Sequence, residues 1–200
     1  MPAPRQGRQL LAAVRAVVLA TVALGLVYPL LMTGIAQVIA PSKADGSLVT
    51  SADGTVVGSS LLGQGFLDGS GDPLPEYFQS RPSAGDWDGA ASGGSNLGPN
   101  STELADTIAE RRTEVAAFNG VPEADVPADA VTASASGLDP DISPEYAAIQ
   151  VQRVATARGV SADEVAALVD TATAGRDLGV IGAPSVDVLE LNLALDEQLG

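Results

Sequence analysis

Residues 16–42 read A-V-V-L-A-T-V-A-L-G-L-V-Y-P-L-L-M-T-G-I-A-Q-V-I-A-P-S, 27 consecutive positions without a charged side chain between Arg15 and Lys43. A helix rises about 1.5 Å per residue and the hydrocarbon core of a bilayer is about 30 Å thick, so the run spans a membrane with room to tilt. Charge reverses across it. Residues 1–43 carry Arg5, Arg8, Arg15 and Lys43 and no acid, a net +4, whereas residues 44–200 carry six arginines against all 25 carboxylates, a net −19. Basic residues favour the cytoplasmic side, which predicts a cytoplasmic N-terminus (1–15), a membrane helix (16–42) and an extracytoplasmic domain (43–200). The rival reading is a cleaved signal peptide ending near Val38-Ile39-Ala40. Its apolar region normally runs only about 7–15 residues, so a retained anchor is the expectation. Pro29 predicts a kink in mid-span, and Ala20, Ala23, Gly25, Gly34 and Ala36 could admit a second helix at close range.

The part beyond the membrane is long enough for one domain with its own core. The chain has no cysteine and no histidine. Disulfides, thiol chemistry and a cysteine-linked lipid anchor are therefore excluded, and zinc sites and imidazole catalysis lose their usual residues. The acidic surplus disfavours nucleic acid as a partner and favours cations, although a solvated acidic surface explains it as well.

Residues 44–57 predict a β-hairpin about an Ala52-Asp53-Gly54 turn. From Gly58 to Asn100, 21 of 43 residues are Gly, Ser or Pro, yet Phe66, Tyr77, Phe78 and Trp87 lie there too, four of the chain's seven aromatics. A flexible linker does not need them, so this stretch reads as an ordered, loop-rich surface. Helices follow. Asn100 or Ser101 caps the first, with Asn100 and Glu103 as a capping box, Leu104, Ile108, Val115 and Phe118 as its apolar face and Gly120 as its stop. A strand is expected at Ala130–Ala133. Ser143-Pro144-Glu145 predicts a helix start that runs to about Arg158 before Gly159, Ser161 with Glu164 the next, and Asp187 with Glu190 a last one, for which the alternation Leu189, Leu191, Leu193, Leu195 also suits a strand. Few strands and late helices predict an α+β fold with a small sheet and several helices.

Three constellations bear on chemistry. Ser92-Gly93-Gly94-Ser95-Asn96-Leu97-Gly98-Pro99-Asn100 opens onto a helix start, where backbone N–H groups can hold a phosphate, but it lacks the Gly-Lys-Ser/Thr ending of a P-loop and reads equally as a tight structural loop. Asp139-Pro140-Asp141-Ile142-Ser143-Pro144-Glu145 alternates oxygen ligands like a calcium loop but lacks the central glycine, so capping is the expected role. Tyr77-Phe78-Gln79-Ser80-Arg81-Pro82-Ser83-Ala84 combines aromatics with an arginine; with Trp87 it makes Tyr77, Phe78, Gln79 and Arg81 candidates for a partner surface.

These stretches together resemble the KdpC family, the C subunit of the Kdp potassium-transporting P-type ATPase complex. The matching blocks are Y-F-Q-S-R-P-S-A (77–84), S-G-G-S-N-L-G-P-N (92–100), P-A-D-A-V-T-A-S-A-S-G-L-D-P (127–140), I-S-P-E-Y-A (142–147), Q-V-Q-R-V-A (150–155) and V-D-V-L-E-L-N-L-A-L-D (186–196), after an N-terminal membrane helix. Asp141 stands where the family pattern has histidine. The resemblance implies a non-catalytic, single-span accessory subunit in a bacterial cell membrane. Its implied partners are a channel-like potassium-binding subunit, an ATP-hydrolysing P-type subunit and a small membrane peptide. It also implies a catalytic chaperone that raises ATP affinity, with Ser92, Gly93, Gly94, Ser95 and Gln150 as nucleotide contacts and no stably bound cofactor, ATP being reached through the hydrolysing subunit. Positive-inside logic conflicts with that last role, because ATP is cytoplasmic and residues 43–200 are expected outside. An external acidic domain fits stabilising the complex or gathering cations at a channel mouth. A membrane-anchored envelope or binding protein without a transporter partner is the alternative. Nothing points to an enzyme in its own right: there is no Asp-Lys-Thr-Gly and no Walker lysine.

Overall fold

The computed structural model describes the backbone of residues 3–200 and the side chains from Gln6 onward; the Arg5 side chain, counted in the charge reading above, lies outside the described residues. The chain divides into two compact units, Met1–Ser47 and Leu48–Gly200.

In the first unit a continuous helix, Gln6–Ile39, is long and apolar enough to cross a membrane. It consists of α1 (Ala3–Val22), one π-helical turn (Ala23–Val27) and α2 (Tyr28–Ile39). The irregularity sits where Pro29 dictates. Proline has no N–H and its ring crowds the carbonyl four residues back, and a π turn, here with the Tyr28 N–H donating to the Ala23 carbonyl, absorbs that mismatch. α2 stops at Ala40 (φ −147°) because the residue before Pro41 is driven out of the helical region. A short turn of helix, α3 (Pro41–Ala44), follows, and Gln37 Nε2 donates to Asp45 at 2.7 Å.

The second unit opens with the expected hairpin, β1 (Leu48–Thr50) antiparallel to β2 (Val56–Ser59), with a bulge between Val49 and Thr50. Its turn is tied by the Asp53 carboxylate, which accepts from Ser51 Oγ and the Thr55 N–H at 2.6 and 3.0 Å. After the loop-rich stretch come α4 (Thr102–Asn119), β3 (Asp141–Ile142), α5 (Pro144–Arg158), α6 (Ala162–Ala172), β4 (Thr173–Ala174), β5 (Ser185–Asp187) and α7 (Val188–Leu199). Four caps read from the sequence are present. Ser101 Oγ accepts from the Leu104 N–H, Ser143 Oγ from that of Tyr146, and Asp187 from that of Glu190, while Ser161 and Glu164 form a reciprocal capping box. Ser101, and not an Asn100–Glu103 box, starts α4. Gly120 and Gly159 end α4 and α5 in left-handed conformation. The Leu189–Leu195 alternation is helical.

The expected strand at Ala130–Ala133 does not form. Ala128–Ala130 is a single 3-10 turn, and the Val131 and Thr132 N–H groups both donate back to the Ala128 carbonyl. Two β-branched residues without a neighbouring strand yield to local turn bonds. The sheet is instead β3-β5-β4, antiparallel throughout, with Ile142 and Thr173 both opposite Val186. α5 packs on α4 and α6, and α6 on α7. Phe78, Ile142, Val154, Val165, Val186, Leu191 and Leu195 are among the side chains of the core. The fold is α+β.

Asp187 is the pressured group in this sheet. Burial pushes its carboxyl from an ordinary 3.8 up to about 6, against the stabilising Glu190 N–H, and the neighbouring Glu190 and Asp141 charges add to the rise. Asp141 lies directly across the ladder from it. A folded-state value above the unfolded one means that the folded chain binds the proton more tightly, so stability declines as pH rises from about 4 to about 6 and is level above. Asp187→Asn keeps a capping side chain and removes the charge. Its melting temperature is expected to exceed that of the parent at pH 7 and to lose that pH slope in a pH series of thermal melts.

Candidate functional site

The segment Tyr77–Ser80, with Phe78 and Ser80 buried, pairs with no strand among the described residues, so its backbone groups need partners from elsewhere. Two carboxamides supply them. Asn192 of α7 accepts from the Phe78 N–H at 2.8 Å and donates to the Phe78 carbonyl at 3.0 Å. Gln150 of α5 does the same for Gln79, at 2.7 and 3.2 Å. Each side chain imitates a neighbouring strand at one residue. Arg153, one turn after Gln150, completes the lattice. Its Nη2 donates to Gln150 Oε1 (2.7 Å), its Nε to Asn119 Oδ1 of α4 (3.0 Å) and its Nη1 to the Tyr77 (2.9 Å) and Pro75 carbonyls, while its guanidinium lies 4.3 Å from the Phe118 ring centre. These partners are neutral oxygens and a ring face. Burial lowers the Arg153 pKa to about 10, which still leaves it charged at physiological pH.

A second junction joins Arg81, the glycine-rich loop and residues 132–139. Arg81 Nη1 meets Asp139 Oδ2 at 2.8 Å and its Nη2 reaches the Thr132 carbonyl at 3.3 Å. The Gly93 N–H and Ser92 Oγ both donate to the Ser136 carbonyl, at 2.8 and 3.0 Å, and Ser83 Oγ donates to that of Gly137 at 2.7 Å. Gly137 makes this possible: its φ is +69° and a Cβ there would stand 2.7 Å from the Gly93 carbonyl oxygen. Gly93 itself faces open space. Gly137→Ala is therefore expected to cost about 1–3 kcal/mol or more, and Gly93→Ala to stay within about 0.5 kcal/mol of the parent, as read from thermal melts of the full chain.

The site residues read from the sequence thus fall into three groups. Ser92, Gly93 and Ser95 are exposed and Gly94 half-buried, on a loop whose Gly93 amide is spent on Ser136. Gln150 is 0% exposed, with its carboxamide engaged by Gln79 and Arg153. Of the partner-surface candidates, Phe78 is wholly buried, a correction that follows from its place at the centre of the core. Tyr77 stacks on Phe66 and lies beneath Arg158, Gln79 turns its amide onto the Phe66 and Leu74 carbonyls, and Arg81 is held by Asp139. Trp87 stays half-exposed. It sits at positive φ (56°) over Gly63 and Gly65 and borders a cleft of about 500 Å³ that Phe118, Arg111 and Tyr146 also line. Burial raises the Tyr146 hydroxyl to about 12. Sequence reading missed Arg153, Asn192 and Asn119. The spacing Tyr146, Gln150, Arg153 on one face of α5 was the available signal.

The buried lattice is built by the very blocks that carry the resemblance: 77–84 meets 150–155 and 186–196, and 92–100 meets 127–140. A family model described as KdpC: K+-transporting ATPase, c chain, matches residues 10–197. The chain belongs to this KdpC family. Among its relatives, the potassium-transporting ATPase KdpC subunit of Kineococcus radiotolerans is 54% identical over 178 residues, covering 88% of this chain and 87% of the relative. The protein of the same name from Myxococcus xanthus is 48% identical over 192 residues, covering 95% and 88%. That of Caulobacter vibrioides is 52% identical over 179 residues, covering 88% and 86%.

Proposed function

We propose that this chain is the membrane-anchored accessory subunit of a potassium-transporting P-type ATPase, non-catalytic itself, whose outer domain works by assembling and stabilising the complex and not by binding ATP. The observation that carries the second half is Gln150. A nucleotide-contacting glutamine must be reachable, and this one is buried with its polar atoms committed to Gln79 and Arg153. The glycine-rich loop supports the same reading, because an amide donating to Ser136 is withdrawn from any phosphate. Its working partners are a potassium-binding channel-like subunit, the ATP-hydrolysing subunit and a small membrane peptide in a bacterial cell membrane. The acidic surface favours cations near the channel mouth.

The proposed orientation, N-terminus in the cytoplasm and Leu48–Gly200 outside, rests on the +4 and −19 charge division. The chain has no cysteine, so a single introduced thiol reports cleanly. Ser70→Cys, in an exposed loop, is expected to react with a membrane-impermeant maleimide on intact cells, and Gln6→Cys only after lysis. The reverse pattern refutes the orientation. The accessory role itself is tested by retention of the other ATPase subunits on an affinity-tagged chain in mild detergent; a chain that retains none refutes it.

A further inference from the structure

The loop between β4 and β5 carries the two most exposed large apolar side chains among those of the Leu48–Gly200 unit, Leu178 at 91% and Val180 at 76%, with Ile181 beside them at 58%. It is a built turn. The Gly179 N–H donates to the Arg176 carbonyl, those of Val180 and Ile181 both donate to the Asp177 carbonyl, and Asp177 bridges to Ile181. To hold that shape Leu178 takes φ +52°, a left-handed conformation that favours glycine or asparagine over a branched side chain. The positive φ closes the turn and leaves the Leu178 side chain in solvent.

Arg176, at the base of this tip, supplies a second and independent observation. The unit holds six arginines. Arg81 pairs with Asp139 and Arg158 with Asp196, Arg111 and Arg112 donate to carbonyls, and Arg153 is the hub of the buried lattice. Among the described arginines of the unit, Arg176 alone has a side chain with no partner, and it is exposed. In a domain of net −19, a cation that finds no carboxylate of its own is available to one from elsewhere. Arginine is among the residues enriched at the energetic centres of interfaces.

We infer that the tip at residues 176–181 docks into a protein partner that presents an apolar groove with a carboxylate at its edge, a subunit of the ATPase; this rests on the accessory-subunit reading above. Charge decides between a protein and a lipid surface. The net −19 of the domain repels a surface of many anionic headgroups, whereas a mostly apolar groove with one carboxylate at its edge answers the unpaired Arg176 locally. Three aliphatic side chains on a narrow turn fit a pocket of matching width.

The test uses the whole complex, co-expressed and purified in mild detergent through a tag on this chain. Leu178→Asn removes the anchor and at the same time relieves the positive φ. Subunit retention is expected to fall roughly tenfold or more, while the melting temperature of the isolated full chain stays level or rises. Arg176→Glu is expected to weaken retention as well, more at low salt than at high. Retention equal to the parent in both variants overturns the inference, and so does a lowered melting temperature for Leu178→Asn, which makes the tip part of the fold. If the unaltered chain retains no subunits, the accessory reading falls and this inference with it. For the lipid alternative, Val180→Cys carrying an environment-sensitive fluorophore is expected to shift blue only in the assembled complex. A blue shift in the lone chain in nanodiscs, quenched by brominated lipid, overturns the protein partner in favour of the bilayer.

Discussion

Arg153→Met is expected to lower the stability of the Leu48–Gly200 unit by about 3–5 kcal/mol, the cost of leaving several buried neutral acceptors without their donor. In one change Asn119 Oδ1, Gln150 Oε1 and the carbonyls of Pro75 and Tyr77 lose a donor, and Phe118 loses the cation over its ring. Methionine matches the length of the stem but satisfies none of these oxygens. For a domain of this size each kcal/mol moves the melting temperature by about 2–4 °C, so the midpoint should drop by roughly 6–20 °C. Arg153→Lys keeps the charge yet offers a single point where the guanidinium offers a planar fork, so it should fall between parent and methionine. Thermal melts of the full chain in detergent measure all three. Because native domains are stable by only about 5–15 kcal/mol, the methionine variant is also expected to accumulate poorly in cells.

What was legible in this sequence was local. The Ser143-Pro144-Glu145 start and the Gly159 stop need no information beyond their own turn, and α5 begins and ends as they dictate. The same holds for the Ser161–Glu164 box, the Asp187 cap and the Asp53 hairpin turn. Pro29 announced an irregularity in mid-span, and its form, a π turn just upstream, depended on how the helix redistributes one missing donor. Where pairing across long separations decides the outcome, local signals failed. Val131-Thr132 has strand character but no strand beside it, whereas Asp141–Ile142 and Thr173–Ala174 are too short and too polar to announce themselves and become strands because β5 lies between them. The site followed the same division. Arg153 reads as a solvent-facing helix residue by type, since arginine is seldom buried, and only the arrival of the Tyr77–Ser80 segment gives its guanidinium a reason to be inside. Phe78 was legible as an anchor, but whether it anchors to a partner or to its own core is a question of what packs against it.

Gln150→Leu separates the scaffold role from a nucleotide role. If the carboxamide serves the fold, its removal leaves the part-buried Gln79 N–H and C=O without their partners and takes an acceptor from Arg153. An unsatisfied buried polar group costs about 1–3 kcal/mol, so the two backbone groups together predict a loss of roughly 2–6 kcal/mol. The leucine fills most of the volume, and packing recovers little of that. Gln150→Glu is the informative companion. It still accepts from the Gln79 N–H and gains charge attraction to Arg153, but it cannot donate to the Gln79 carbonyl, so its loss should be smaller than that of leucine. A nucleotide role predicts the opposite ordering of effects: near-parental melts in both variants, with ATP affinity of the full chain lost. Titrating labelled ATP onto the full chain in detergent, beside thermal melts of the same preparations, reads both quantities. A parental melting temperature together with abolished, saturable ATP binding in Gln150→Leu would move Gln150 from the scaffold to the nucleotide. A large drop in melting temperature, with no saturable ATP binding in the parent to lose, leaves it as the residue that lets a helix stand in for the missing strand beside Gln79.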